Sequence, residues 1–459
     1  MRRNGKNNLL GKARQGGSMV VAATFGIIAM LGTAGLAVDI GRAQLAQSKL
    51  SSALDAAGLA AGASISTQDL NTEVNKYLNV NFNNYLDATI DDIDPQYDPD
   101  TNVITVTATG HIETTFMKYF GIDTVPIDAS TEITRATSGL ELALVLDNTG
   151  SMAGTRLSAL KDAASEMVGT LFGDGTNDQQ HLWIGVVPFS QAVNIGTQHE
   201  SWLTTGSIAA KNWGPDSWAG CVDARLSSLD TTDSPPSSGS FEPYYWPDDG
   251  NNNWIKTTTK KGKTTTTYTI DDTHGPNKYC PQSSMGLTSD ESAVLTAIDN
   301  MEARGNTHIV TGAVWGWRML SPNWRGLWGG EMDENDLPLD YNTPRMNKAV
   351  VIMTDGENTI SSSSHGAYWY LSDGRLGTTD QNTAVDELDT RLSSVCTQMK
   401  NNNVIVYTIA FGSPGTSIQN LLRNCASQAD YYFDSPDSDE LHKAFRQIGD
   451  SLSNLRVSK

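Results

Sequence analysis

Asp147, Thr149 and Ser151 stand in the pattern Asp-x-Thr-x-Ser, directly after the apolar run Glu141–Leu146. A strand that delivers one carboxylate and two alternately spaced hydroxyls on a tight loop can turn three oxygen donors toward one point. Oxygen donors of this kind suit a hard divalent cation, Mg2+, Mn2+ or Ca2+. Two later segments add donors. Thr307 lies in Arg304-Gly-Asn-Thr-His308, just before a helical pattern, and Asp355 follows the apolar run Val350–Thr354 and precedes Gly356. Both carboxylates therefore fall at carboxyl ends of predicted strands, where open α/β sheets bind ligands. The competing reading is that Asp147 and Asp355 only cap loops at helix starts.

Catalytic patterns find little support. A Gly-Lys-Thr occurs at Gly262–Thr264, but a phosphate-binding loop needs a glycine five residues before Gly262, where Thr257 stands. There is no Gly-x-Ser-x-Gly elbow and no His-Glu-x-x-His helix. The seven histidines are scattered, and His308 reads as a loop residue rather than a base. Trp315 and Trp317 read as packing residues. Asp98-x-Asp100-x-Asn102 resembles the start of a calcium loop, but Val103 and Thr109 occupy the positions that need Gly and Glu. The chain is read as a non-enzyme.

The elements that must position the oxygen donors alternate. Strand Glu141–Leu146 is followed by a helix at 155–172, a strand at His181–Val187, and helices at 290–303 and 309–320. Then come strand Lys348–Thr354, helix 384–400, strand Val404–Ala410, helix 416–427, a short strand at Tyr431–Phe433, and a final helix carrying Leu441, Phe445, Ile448, Leu452 and Leu455. Such alternation predicts an α/β fold with a doubly wound, mostly parallel sheet. Two stretches without periodicity, 196–288 and 321–346, read as insertions on this fold. Within the first, Trp254–Ile270 reads as a polar hairpin with its turn at Lys260–Lys263, kept from edge aggregation by lysines or offered to an acidic or lipid partner.

The chain has 459 residues, 32 Lys+Arg against 52 Asp+Glu, and a net charge of −20, which argues against a nucleic-acid partner. The charge is uneven. The first 14 residues carry Arg2, Arg3, Lys6, Lys12 and Arg14 and no acid, leaving −25 on the rest. No charge occurs from Gln15 to Val38, and the apolar stretch Met19–Val38 is long enough to cross about 30 Å of hydrocarbon. The basic leader, 1–18, is expected in the cytoplasm and the bulk of the chain outside. A cleaved signal peptide competes with this anchor. So does a prepilin-type leader cut after Gly17, against which Ala22 stands where pilins carry Glu.

Beyond the span, Ala43, Ala46, Leu50, Ala53, Ala57 and Ala60 form a seam of small residues at helical spacing. Met19–Gly62 can be one helix of about 66 Å. The seam fits either a pilin-like helix, half in the membrane, or a stalk packed on its own domain. A helix at 72–86, an acidic loop at 91–102, and strands at 103–109 and 129–135 complete a small α+β module over 39–137. Four cysteines, Cys221, Cys280, Cys396 and Cys425, suggest two disulfides in an oxidising compartment. Proximity pairs 221 with 280 and 396 with 425, although three connectivities exist.

These residues carry a resemblance. Asp147, Thr149 and Ser151, then Thr307, then Asp355, in that order, resemble the metal-ion-dependent adhesion site of von Willebrand factor A domains, with Thr149 where Ser is usual. The resemblance covers about 138–459. The whole chain is similar to TadG-like proteins of the bacterial Flp/Tad pilus system: GLAVDIGR at 35–42, DAAGLAAG at 55–62, DNTGSM, WGWRMLSP at 315–322 and MTDGEN. It implies a Rossmann-like von Willebrand factor A domain on a TadE/G-like stalk, anchored in the bacterial inner membrane and facing the periplasm. It further implies a cation on Asp147, Thr149, Ser151, Thr307 and Asp355 that captures a carboxylate from a protein ligand, among other pilus-assembly components. A metal-independent pilus scaffold is the alternative.

Overall fold

In the computed structural model, the described residues are 15–63, 70–83, 85–98, 103–134, 138–173, 181–225, 229–271 and 273–457. Most of the basic leader and residues 99–102 of the acidic stretch lie outside them. The chain divides into two compact units, Met1–Ala136 and Thr137–Lys459.

The first unit is built on one long helix, α1 (Gln15–Ala63), followed by α2 (Leu70–Phe82) and the antiparallel strands β1 (Ala88–Asp98), β2 (Val103–Glu113) and β3 (Thr124–Thr134) in the order β1-β2-β3. From Met19 to Ile40 the large apolar side chains of α1 are exposed, Phe25 at 69% and Met30 at 70%. Beyond that point the helix buries one face. Ala43, Ala46, Leu50, Ala53 and Ala57 pack with Ile104, Val106 and Ile127 of the sheet and with Val74 and Leu78 of α2. The small-residue seam thus packs on its own unit, and it closes on Ala61 rather than Ala60, which is half-exposed. The acidic stretch expected as a loop is strand β1 through Asp98: its carboxylates point away from the buried side while its backbone pairs with β2. Charge told against a strand, but an edge strand needs only one apolar face. The helix expected to reach 86 ends at Phe82, and Tyr85–Asp87 form a 3₁₀ turn.

The second unit holds an eight-stranded sheet. Its strands are β4 (Gly139–Asp147), β5 (Leu182–Phe189), β6 (Val193–Asn194), β7 (Cys221–Val222), β10 (Met285–Thr288), β11 (Met346–Thr354), β12 (Val404–Phe411) and β13 (Tyr432–Ser435). The order is β13-β12-β11-β4-β5-β6-β7, with β10 also on β5. The links from β13 to β5 are parallel, and the pairings of β6, β7 and β10 are antiparallel. A separate hairpin, β8 (Ile255–Lys260) and β9 (Lys263–Tyr268), stands where the polar lysine-tipped hairpin is expected.

Both faces of the parallel strands are covered. Leu140, Leu142, Leu144 and Leu146 of β4 face α3 (Thr155–Phe172), α4 (Glu291–Asp299) and α9 (Ser438–Val457). Ala143 and Val145 face α5 (Ile309–Leu320), α7 (Gln381–Asn401) and α8 (Thr416–Cys425). Burial on two sides is why these strands read as continuous apolar runs. The aperiodic 196–288 stretch is more than a surface excursion: it contributes β7 and β10 to the sheet edge. With 321–346 it also supplies Trp202, Trp324 and Trp328, whose rings lie 5.1–6.2 Å from one another and from Trp315. That second insertion includes the one-turn helix α6 (Glu331–Glu334). Disulfides join Cys221 to Cys280 and Cys396 to Cys425.

At the other end of the central strands, Glu141 and Lys348 form a fully buried ion pair, and the Leu339 N–H donates to Glu141 at 2.8 Å. Removing one partner strands a charge in the core. Lys348→Met is therefore expected to lower stability by about 3–5 kcal/mol in urea unfolding, and Glu141→Leu/Lys348→Met to recover most of it. A single-variant loss below about 1 kcal/mol would show that the pair is open to water.

Candidate metal centre

Asp147 ends β4, and Asp355 follows the last residue of β11, its parallel neighbour. After β4 the chain crosses to α3 on one face of the sheet; after β11 it crosses to α7 on the other. The two chains thus diverge at the carboxyl ends of these strands, the usual ligand position in such sheets.

Asp147 is fully buried. Its Oδ1 accepts the Thr149 N–H at 2.8 Å, and its Oδ2 accepts the Thr354 hydroxyl at 2.6 Å. The Ser151 hydroxyl donates to Asp355 Oδ1 at 2.6 Å and lies 3.0 Å from the Thr149 hydroxyl. Asp355 Oδ2 accepts Arg156 Nη1 at 2.6 Å, in an ion pair whose arginine is 43% exposed. Four of the five sequence-predicted donors are thus linked in one chain of three hydrogen bonds, from Asp147 through Thr149 and Ser151 to Asp355.

Thr307 approaches the same strand ends from a separate loop. Gly305 bends that loop with φ +78°, and the Gly150 N–H donates to the Gly305 carbonyl at 2.9 Å. The Arg304 N–H likewise donates to the Asn148 carbonyl at 2.8 Å, so the Asp147–Ser151 and Arg304–Thr307 loops are stitched together. Thr307 exchanges two hydrogen bonds with Thr359, and its Oγ1 lies 4.0 Å from where a Cβ on Gly356 would stand. It faces the Asp355–Gly356 turn without joining the hydroxyl–carboxylate chain.

Several contributors carried no clear sequence signal. Gln191 accepts the Asn306 N–H at 2.7 Å and donates to the His365 carbonyl, holding the Thr307 loop from below. Asn358 accepts the Ile309 N–H at 2.8 Å. Thr354 and Arg156 are closer to legible, one adjacent to Asp355 and the other in the first turn of α3. His308 is buried at the start of α5, where burial pushes its pKa down to about 4. Trp315 and Trp317 are both buried in the core.

Burial, and then the negative charge of Asp355, push the Asp147 pKa up to about 6. Two acidic groups and three hydroxyls form an all-oxygen set suited to Mg2+, Mn2+ or Ca2+. Among the described residues, no group of three or more His, Cys, Asp or Glu side chains could hold a metal.

Asp147 costs stability whenever it is ionised without a cation. Its folded pKa exceeds the ordinary 3.8, so the folded state holds the proton more tightly. With chelator present, stability from this group should rise as pH falls from about 6 toward 4. Asp147→Asn should raise stability at pH 7–8 by up to about 3 kcal/mol and have little effect below pH 4. Urea unfolding at both pH values checks this; an unchanged or lower stability at pH 8 would refute it.

Residues 17–64 match the family described as Tad, "Putative Flp pilus-assembly TadE/G-like". No curated protein matches the chain. Among solved structures, the pilus adhesin SpaC from Lactobacillus rhamnosus GG is similar at 10% identity and TM-score 0.36, over 80% of this chain and 34% of that one. This chain therefore spans about a third of the SpaC structure. The vWF domain of the type V pili tip protein Mfa5 from Porphyromonas gingivalis is similar at 10% identity and TM-score 0.35, over 70% of this chain and 97% of that one. Proximal thread matrix protein 1 from the mussel byssus, with a zinc-occupied MIDAS motif, is similar at 12% identity and TM-score 0.32, over 70% of this chain and 47% of that one. The matched segment, residues 17–64, spans most of α1.

Proposed function

We propose that residues 138–459 form a von Willebrand factor A-type domain, a doubly wound sheet with insertions at 196–288 and 321–346, that binds a protein partner through a divalent cation. The chain acts from a single-pass anchor in the bacterial inner membrane, within Flp/Tad pilus assembly or surface attachment. The carrying observation is the convergence of Asp147, Thr149, Ser151 and Asp355 in one hydrogen-bonded cluster, with Thr307 facing it.

Ser151 and Thr149 would hold the cation directly, Asp147 and Asp355 directly or through water, and Thr307 would join as the partner docks. A cation held mainly by hydroxyls would supply positive charge for an external carboxylate from the partner. The chain's own groups prepare this. Thr354 and the Thr149 N–H orient Asp147, while Gln191 and Gly305 present Thr307. The TadE/G-like match supports the pilus setting, and the apolar Met19–Val38 stretch supports the anchor. The basic leader supports a cytoplasmic N-terminus with the bulk of the chain periplasmic.

A second reading has one observation in its favour. The Arg156 guanidinium already neutralises Asp355, as a metal-independent scaffold of the pilus machinery would require. Calorimetric titration of the full chain with Mg2+ and Mn2+ separates the two. The metal reading expects saturable binding, lost in Asp147→Ala. It also expects roughly two- to fivefold tighter binding in Arg156→Gln, since a half-exposed ion pair is worth about 0.5–1 kcal/mol. No binding by either the parent or Arg156→Gln would leave the scaffold reading.

A further inference from the structure

The loop joining β2 to β3 carries side chains that the first unit leaves uncovered. Phe116 is 42% exposed, Tyr119 80%, Phe120 68% and Ile122 45%, clustered around Lys118. Large aromatics standing free of a folded core ask for an apolar partner.

The loop is fixed against the apolar half of α1. Asp39, the first charged residue after Gln15, is 2% exposed. Its carboxylate accepts the backbone N–H groups of Thr115, Phe116 and Met117 at 2.9, 2.8 and 2.7 Å. Arg42 adds bonds to the Glu113 carbonyl, the Thr115 hydroxyl and the Leu86 carbonyl. The Thr114 hydroxyl closes the loop by donating to the Ile122 carbonyl at 2.6 Å. The aromatics then seat against glycines of the helix. A Cβ at Gly35 would lie 2.7 Å from Phe116 Cβ, and one at Gly32 would lie 3.3 Å from the Phe120 ring. Gly26, deeper in the span, meets nothing within 4 Å, so the notches match the loop.

Depth follows from helix geometry. Gly35 and Gly32 precede Val38 by about 4.5 and 9 Å along the axis. Phe116 and Phe120 therefore sit alongside the last turns of the apolar run, below the level of Asp39. Aromatic rings with an adjacent lysine suit the boundary between headgroups and hydrocarbon, where rings bury and ammonium groups reach back to water.

We propose that residues 116–122 are a second membrane contact, an aromatic wedge seated in the headgroup–hydrocarbon boundary of the bilayer that α1 crosses. The occupant of the exposed face is lipid, because the face continues the exposed apolar surface of α1 at the same depth. The wedge would fix the depth and rotation of the helix and hold the α1–sheet module at the surface. The inference rests on the anchor reading of Met19–Val38.

The test uses the full chain in phosphatidylethanolamine/phosphatidylglycerol vesicles, with a polarity-sensitive fluorophore on a single introduced cysteine. Tyr119→Cys reports the wedge, Ile28→Cys the span and Val80→Cys, exposed on α2, the aqueous control. Nitroxide-labelled lipids are quenchers placed near the headgroup or near the chain end. The expected result is blue-shifted emission at 119 quenched most by the shallow nitroxide, quenching at 28 by the deep one, and no quenching at 80. Quenching at 28 with a water-like, unquenched signal at 119 overturns the wedge and leaves the anchor standing. Blue-shifted but unquenched emission at 119 means a protein or a second copy covers the face, and also overturns it. No quenching at 28 or 119 removes the anchor reading and the wedge together.

Discussion

Two carboxylates of like charge end neighbouring parallel strands and are sequestered there, Asp147 beyond the reach of water and Asp355 nearly so. This is the constraint around which the second unit is arranged. Parallel pairing of β4 with β11 brings the two strand ends together, and the chain leaves them for opposite faces of the sheet. Repulsion between buried acids must be met by hydrogen bonds and positive charge. The surroundings answer on both counts: hydroxyls from Thr149, Ser151 and Thr354, and the guanidinium of Arg156. The ion pair with Asp355 is accessible on its arginine side, so it can give way where a fully buried one could not.

The insertions serve this arrangement indirectly. Gln191, between β5 and β6, supports the Thr307 loop, and β6 is tied to the insertion through β7 and the Cys221–Cys280 disulfide. Closing a loop of this length restrains the unfolded chain by about 4 kcal/mol in the chain-entropy model. The tryptophan cluster then seats 196–288 and 321–346 on α5, the helix that begins two residues after Thr307. Aromatic packing thereby holds the helix that follows Thr307.

In the first unit, a carboxylate also organises its surroundings, by a different route. Asp39 collects three backbone donors from one turn and fastens the β2–β3 loop to α1. The same helix is exposed and apolar before this residue and half-buried after it. The change of environment occurs within about one helical turn, which is why charge begins there in the sequence.

Much of this was written in local pattern. Apolar runs bounded by helical periodicity determined the parallel strands β4, β5, β11 and β12 and the helices between them, because burial on both faces leaves few polar positions to confuse the reading. The ordered oxygen donors Asp147, Thr149, Ser151, Thr307 and Asp355 were visible for a similar reason: each follows an apolar run or precedes a helical one. Sequence could not decide contacts between distant segments. The support of Thr307 by Gln191, the Arg156–Asp355 ion pair and the packing of Phe116 and Phe120 on Gly35 and Gly32 join residues 70–200 positions apart or lie across a turn of unmarked spacing. It also misread β1, whose acidic residues looked like a loop until pairing with β2 gave its backbone partners. Hydrogen-bond partners of a backbone, and the neighbours of a buried charge, are properties of the assembled chain, and only the tertiary structure decided them.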